Sequence, residues 1–179
     1  INYHQDIQFW PHSNYSPLTI GVYLSDTDDT MGPMGIVPKS HLGELYNMYD
    51  DSHTWLGCLR DEDVLKTDPT KHANFLTGKA GTVTVHNCRC IHGSLPNKSN
   101  KFRPLLLNAY SSCDAVTLQI GSNTILSKDE MHGTIVRGKP AEAAIFDPRP
   151  CPLPPQVIKG SLFKAQQKEE ALIRGQTNG

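Results

Sequence analysis

The stretch "YHQDIQFW", residues 3 to 10, separates a histidine from an aspartate by a single glutamine: His4, Gln5, Asp6. On an extended strand, side chains two residues apart share a face. An imidazole and a carboxylate placed in that way can reach one metal ion together. The third ligand must then come from another strand, and His12, His41, His53, His72, His86, His92 and His132 are the candidates. His92 is set apart by its neighbours. In "HGSLPNKSNKFRP", Ser94 stands two residues beyond His92 and Arg103 eleven. A loop of polar, turn-forming residues separates His92 from Arg103. Adjacent strands joined by that loop would bring both side chains to one cavity. Two histidines and one carboxylate leave coordination positions open, which suits non-haem Fe(II). A neighbouring arginine offers a planar fork that matches a carboxylate.

Strands must position such a set. "LTIGVYLS", residues 18 to 25, alternates Leu18, Ile20, Val22 and Leu24 with Thr19, Gly21, Tyr23 and Ser25, a period of two that predicts a strand with its apolar face toward the core. "DTDDTMGPMG" reads as a solvated loop. "GIVPKSH" predicts a short strand closed by Pro38. Residues 42 to 78 are polar and mixed, expected to be largely irregular with a short helix at "DEDVLK". A strand is expected over 82–86, a second short one through Cys90 and Ile91 to His92, a long one over 103–112 and another at "AVTLQI". A proline-rich stretch, "DPRPCPLPP", precedes a helical pattern in "SLFKAQQKEEALIRG" that ends near Gly175. Short strands separated by turns favour a mainly β double-sheet jelly roll over a parallel α/β sheet. A single domain is expected over 1–179, with a core at about 2–120 and a C-terminal extension over 121–179.

Bulk properties narrow the function classes. The 179 residues carry a net charge of -1, with 20% charged and 37% hydrophobic residues. No basic stripe indicates a nucleic-acid partner. No apolar run approaches the ~18 residues of a spanning helix, so no membrane partner is expected. Five cysteines, an odd number with no CxxC pair, read as reduced, buried thiols in a cytoplasmic protein.

Taken together these segments resemble the phytanoyl-CoA dioxygenase family of Fe(II)/2-oxoglutarate-dependent oxygenases. "YHQD" resembles its H-x-D motif. "MGPMGIVPKSHLG" resembles its N-G-x-L-x-x-x-P-G-S-H segment. "GTVTVHNCRCIHGSLPNKSNKFRP" resembles the segment with the distal histidine, H-G-S-x-x-N-x-S, and the later arginine. The three occur in order over roughly residues 2 to 114. The resemblance implies a double-stranded β-helix, with Fe(II) held by His4, Asp6 and His92. It further implies that Arg103 pairs with the distal carboxylate of the cosubstrate 2-oxoglutarate, that Ser94 assists, and that Gln5 lies along the cosubstrate. The reaction implied is O2 activation with decarboxylation to succinate and CO2, then hydroxylation of a small organic substrate. Related halogenases carry a small residue at the carboxylate position, and the carboxylate of Asp6 therefore favours hydroxylation.

The resemblance also carries departures. Family members have a long segment before H-x-D, whereas three residues precede His4 here, so the chain is expected to lack the family's N-terminal part. A sheet edge left uncovered in that way invites pairing, and a homodimer is the expected consequence. Lys39 stands where the family has glycine. Two further readings stay open: a jelly-roll metalloenzyme with the same ligands and no 2-oxoglutarate, and an inactive binding module of this fold. His86, six residues before His92, could face the cavity but is expected to be a satisfied strand histidine. Arg89 is expected to be structural or to meet an acidic substrate, and His12, Trp10 and Tyr15 are expected to pack rather than line a substrate mouth.

Overall fold

The computed structural model describes residues 1–118 and 134–155. Among the described residues, six strands form two antiparallel sheets. They are β1 (Leu18–Tyr23), β2 (Met34–Ile36), β3 (Asn74–Phe75), β4 (Val83–Asn87), β5 (His92–Ser94) and β6 (Leu105–Tyr110). One sheet has the order β4-β1-β6 and the other β3-β2-β5. The Tyr23 hydroxyl of β1 donates to the Leu76 carbonyl just beyond β3 and so ties one sheet to the other. This mainly β, two-sheet arrangement agrees with the expected jelly roll. No helix among the described residues is long and apolar enough to cross a membrane.

The period of two in β1 is real, but the buried face is the opposite one. Thr19, Gly21 and Tyr23 are buried, whereas Leu18, Ile20 and Val22 are half-buried and Leu24 is exposed. Register explains why. Thr19 pairs with His86, and Gly21 with Thr84, across β1 and β4. The inward face of this sheet therefore carries the polar residues of a site, and the apolar stripe lies outside beside Val83 and Val85, 59% and 58% exposed. Alternation reveals two faces but not which of them turns inward.

Other expectations shift by local chemistry. His4 and Asp6 do not share a strand. His4 makes a single antiparallel bridge with His92, its N–H donating to the His92 carbonyl at 2.9 Å and its carbonyl accepting at 3.1 Å. A 3-10 turn over Asp6–Gln8 then bends the chain, with Phe9 N–H donating to the Asp6 carbonyl. A straight strand would put Ile7 and Gln8 on opposite faces; the turn buries both completely. β5 starts at His92 instead of Cys90, because a turn at Cys88 and Arg89 occupies the preceding residues. "AVTLQI" forms no strand within 115–118, only a bridge between Thr117 and His12. Its last two residues, like the expected terminal helix, lie outside the described residues.

The insert is more ordered than its composition suggests. It holds α1 (Asp61–Thr67), α2 (Pro69–His72) and β3. Asp61, Glu62 and Asp63 in the first turn of α1, and Lys66 in its last, complement the helix dipole. Lys39, where the family has glycine, adopts a left-handed conformation at φ 63°. For a residue with a Cβ that conformation costs about 1–2 kcal/mol. Gly32 also has positive φ, and any Cβ there would collide with the Leu95 carbonyl oxygen.

Candidate functional site

A cavity of about 200 Å³ lies between the sheets. His4, Asp6, His92, Ser94 and Arg103 all line it, together with Thr19 and His86. Arg103 and His92 reach it by a different route from the one expected. They flank one loop, but β5 and β6 belong to opposite sheets, so the two residues face each other across the cavity.

One ligand atom each from His4, Asp6 and His92 lies within 4.8 Å of the other two. Asp6 Oδ1 is 3.4 Å from His4 Nε2 and 3.5 Å from His92 Nε2. Ligands about 2.1 Å from a common ion and at right angles sit about 3 Å apart, so the spacing suits a metal ion after small adjustments. The rings are aimed by their far nitrogens. His4 Nδ1–H donates to the Asn2 carbonyl at 2.8 Å, and His92 Nδ1–H to the Cys90 carbonyl at 3.0 Å. Such outer bonds fix the tautomer and turn the Nε2 lone pair inward. Two lone pairs and a carboxylate oxygen then converge on one point, which calls for a proton or a cation.

Electrostatics favours the state a metal needs. Burial pushes the His92 imidazole down to about 3, and the neighbouring His4 adds to this, so the ring is neutral near pH 7. Burial works against the Asp6 charge. The imidazoles of His4, His86 and His92 outweigh it and hold the carboxyl well below the usual carboxylate range. A neutral imidazole and an ionised carboxylate can ligate without first losing a proton. The donor set therefore fits a divalent cation.

Two residues are placed differently from the sequence expectation. Gln5 is fully buried and does not line the cavity. Its Nε2 donates to the Glu44 carbonyl at 3.0 Å and to the Arg89 carbonyl at 2.8 Å, and its Oε1 accepts from Tyr46 N–H at 3.0 Å. This amide pins the segment after β2 and the turn before β5 to the His4–Asp6 segment, with its polar atoms turned away from the cavity. Gln5→Ala is expected to lower stability by about 2–4 kcal/mol, because buried backbone groups lose their partners. Chemical denaturation would measure it, and a change under about 1 kcal/mol would refute the pinning role.

His86 is not the satisfied strand histidine expected and instead faces the cavity. It is buried, lines the cavity, and neither ring nitrogen has a hydrogen-bond partner. Its place six residues before His92 was the available signal, and its pairing with Thr19 turns it inward. Arg89 does not line the cavity; it donates to the Gly43 carbonyl and stacks 4.6 Å from the centre of the Tyr15 ring. Trp10, His12 and Tyr15 likewise stay outside the cavity. Cys58, Cys88 and Cys90 are buried, and Cys113 and Cys151 are half-buried.

A family model described as Phytanoyl-CoA dioxygenase matches residues 1–105, more than half of the 179 residues. The chain belongs to the phytanoyl-CoA dioxygenase family. Every residue that lines the cavity up to and including Arg103 falls within the matched part of this phytanoyl-CoA dioxygenase family member. It is 39% identical over 118 residues to a probable alpha-ketoglutarate-dependent hypophosphite dioxygenase of Stutzerimonas stutzeri, covering 64% of this chain and 41% of the relative. It is 29% identical over 126 residues to an L-proline trans-4-hydroxylase of Streptomyces griseoviridis, covering 61% of this chain and 47% of the relative. The chain thus spans less than half the length of either curated relative. Among solved structures it is similar to the non-heme alpha ketoglutarate dependent carbocyclase SnoK from nogalamycin biosynthesis. That match has 29% identity and a TM-score of 0.51, and covers 64% of this chain and 44% of the other.

Proposed function

We propose that this chain carries the catalytic centre of an Fe(II)- and 2-oxoglutarate-dependent oxygenase that hydroxylates a small molecule and releases succinate and CO2. The observation that carries this reading is one cavity lined by two histidines, a carboxylate and an arginine. His4, Asp6 and His92 are the residues that would hold Fe(II). Arg103 would pair with the distal carboxylate of 2-oxoglutarate, with the Ser94 hydroxyl beside it. When bound, the iron supplies O2 activation coupled to oxidation of the cosubstrate. The chain supplies orientation: backbone carbonyls fix the two ligand rings. Met34, Leu105 and Leu107 give the cavity an apolar lining that limits water around the charged groups.

Membership of the family and the relatives' names support this reading. Hypophosphite is the first substrate to try because the 39%-identical relative is named for it, and L-proline the second. The test is O2 uptake and succinate release by the Fe(II)-loaded protein, with and without 2-oxoglutarate. Uptake that requires 2-oxoglutarate and yields equal amounts of succinate is expected. Uptake independent of 2-oxoglutarate would replace this reading with a metalloenzyme that needs no cosubstrate. An intact fold with no affinity for Fe(II) or Mn(II) would leave a binding module.

A further inference from the structure

We propose that His86 is a positioning residue that, with Thr19, fixes which oxygen of Asp6 faces a bound cation. This rests on the metal-site reading and extends it to residues outside the ligand set. The two oxygens of Asp6 have different surroundings. Oδ1 faces His4 Nε2 and His92 Nε2 at 3.4 and 3.5 Å. Oδ2 accepts from the Thr19 hydroxyl at 3.3 Å and lies 3.5 Å from His86 Nε2. Thr19 and His86 are direct cross-strand partners on β1 and β4, so they form a shelf of two donors on the inward sheet face. The shelf approaches the side of the carboxylate opposite the ligand histidines.

The His86 ring has no other polar engagement in the structure. It is 5% exposed, and both its nitrogens are buried without a partner. Leaving such groups unpaired is costly, and native interiors rarely do it. The ring packs 4.5 Å from the centre of the His92 ring, which limits its freedom to swing away. Asp6 is ionised and can only accept, so the Nε2–H tautomer of His86 is the one that matches it. Drawing Oδ1 toward a cation turns the carboxylate about its own axis, and a donor on Oδ2 sets where that turn stops. Thr19 and His86 thus hold Asp6 as a one-oxygen ligand and keep the second oxygen from occupying an open coordination position.

The test compares His86→Leu, which removes the donor at similar bulk, with His86→Gln, which restores one on a side chain of similar reach. Mn(II) affinity is measured by calorimetry and the Co(II) absorption spectrum is recorded, both on the full chain without cosubstrate. Losing an outer partner of a metal ligand costs roughly 10- to 100-fold in metal affinity, and this is the loss expected for His86→Leu. The Co(II) bands should shift, and His86→Gln should recover most of the affinity. Wild-type affinity and spectrum in His86→Leu would overturn the assignment, and so would equal losses in both variants, which would mark a role in packing only. If His86→Leu does not fold, Thr19→Val removes the other half of the shelf at constant shape. Weaker Mn(II) binding there supports the inference, and unchanged binding overturns it. A wild-type protein that binds no Mn(II) would fail the metal-site reading itself, and the inference with it.

Discussion

Asp6→Ala is expected to abolish 2-oxoglutarate-dependent turnover and to weaken Mn(II) binding by roughly 30- to 3,000-fold. The range comes from about 2–5 kcal/mol for removing one partner of a buried charged contact, at about 1.4 kcal/mol per tenfold. Asp6 is the carboxylate of the trio, and around it stand His4, His86, His92 and Thr19. Without its charge, only two imidazoles remain to attract a divalent ion. The effect on the metal-free fold should be far smaller. Loss of the carboxylate removes a buried charge and its solvation penalty, while Thr19 and His86 lose an acceptor, and the two changes oppose each other. Calorimetric titration and a thermal melt separate the outcomes. Mn(II) affinity equal to wild type would refute the assignment of Asp6 as a ligand.

The second large effect belongs to Arg103. Arg103→Ala should leave Mn(II) affinity near wild type and weaken 2-oxoglutarate binding by roughly 30-fold or more, since a carboxylate facing a confined cavity loses its partner. The residue stands just before β6, whose register with β1 sets Tyr23 opposite Leu105. Pro104 accepts a hydrogen bond from Leu24 N–H at 3.2 Å and anchors the backbone beside it. The guanidinium is therefore presented from a fixed point on the sheet opposite His92. Arg103→Lys should recover only part of the loss, because an ammonium is a point charge and cannot form the two parallel bonds of a fork. Titration of 2-oxoglutarate into the Mn(II)-loaded protein reads the change. Unaltered cosubstrate affinity in Arg103→Ala would remove the anchor assignment and leave the metal site standing.

Much of the candidate site is legible in the order and types of its residues. His4, Asp6, His92, Ser94 and Arg103 come to one cavity, as the motifs imply. The harder part is orientation. The apolar alternation of Leu18, Ile20 and Val22 does not mark the buried face of β1, because the inward face carries Thr19, which lines the cavity with its partner His86. Gln5 sits inside the motif, so its side chain looks destined for the cosubstrate. Its backbone is extended, so its side chain points to the face opposite His4, into backbone partners at Glu44 and Arg89, far along the chain. Cys90 and Ile91 look like strand residues by composition, yet the turn before them takes precedence. That turn at Cys88 and Arg89 is local, whereas the partners of Gln5 and the pairing of Thr19 with His86 lie far along the chain and leave no trace in local pattern.

The bridge between His4 and His92 has a kinetic meaning. Gln5 Nε2 meets the Arg89 carbonyl across 84 positions of chain, and the two ligand histidines pair in the same crossing. A contact of such high sequence separation forms only after a long loop has closed, an entropic cost that slows assembly. Until then His4 and Asp6 are tethered to an open chain, and His92 is elsewhere. The cation can recognise the trio only once this closure is complete. Metal capture by a refolding chain should accordingly lag behind the first gain of sheet structure, and added metal should slow unfolding more than it speeds folding.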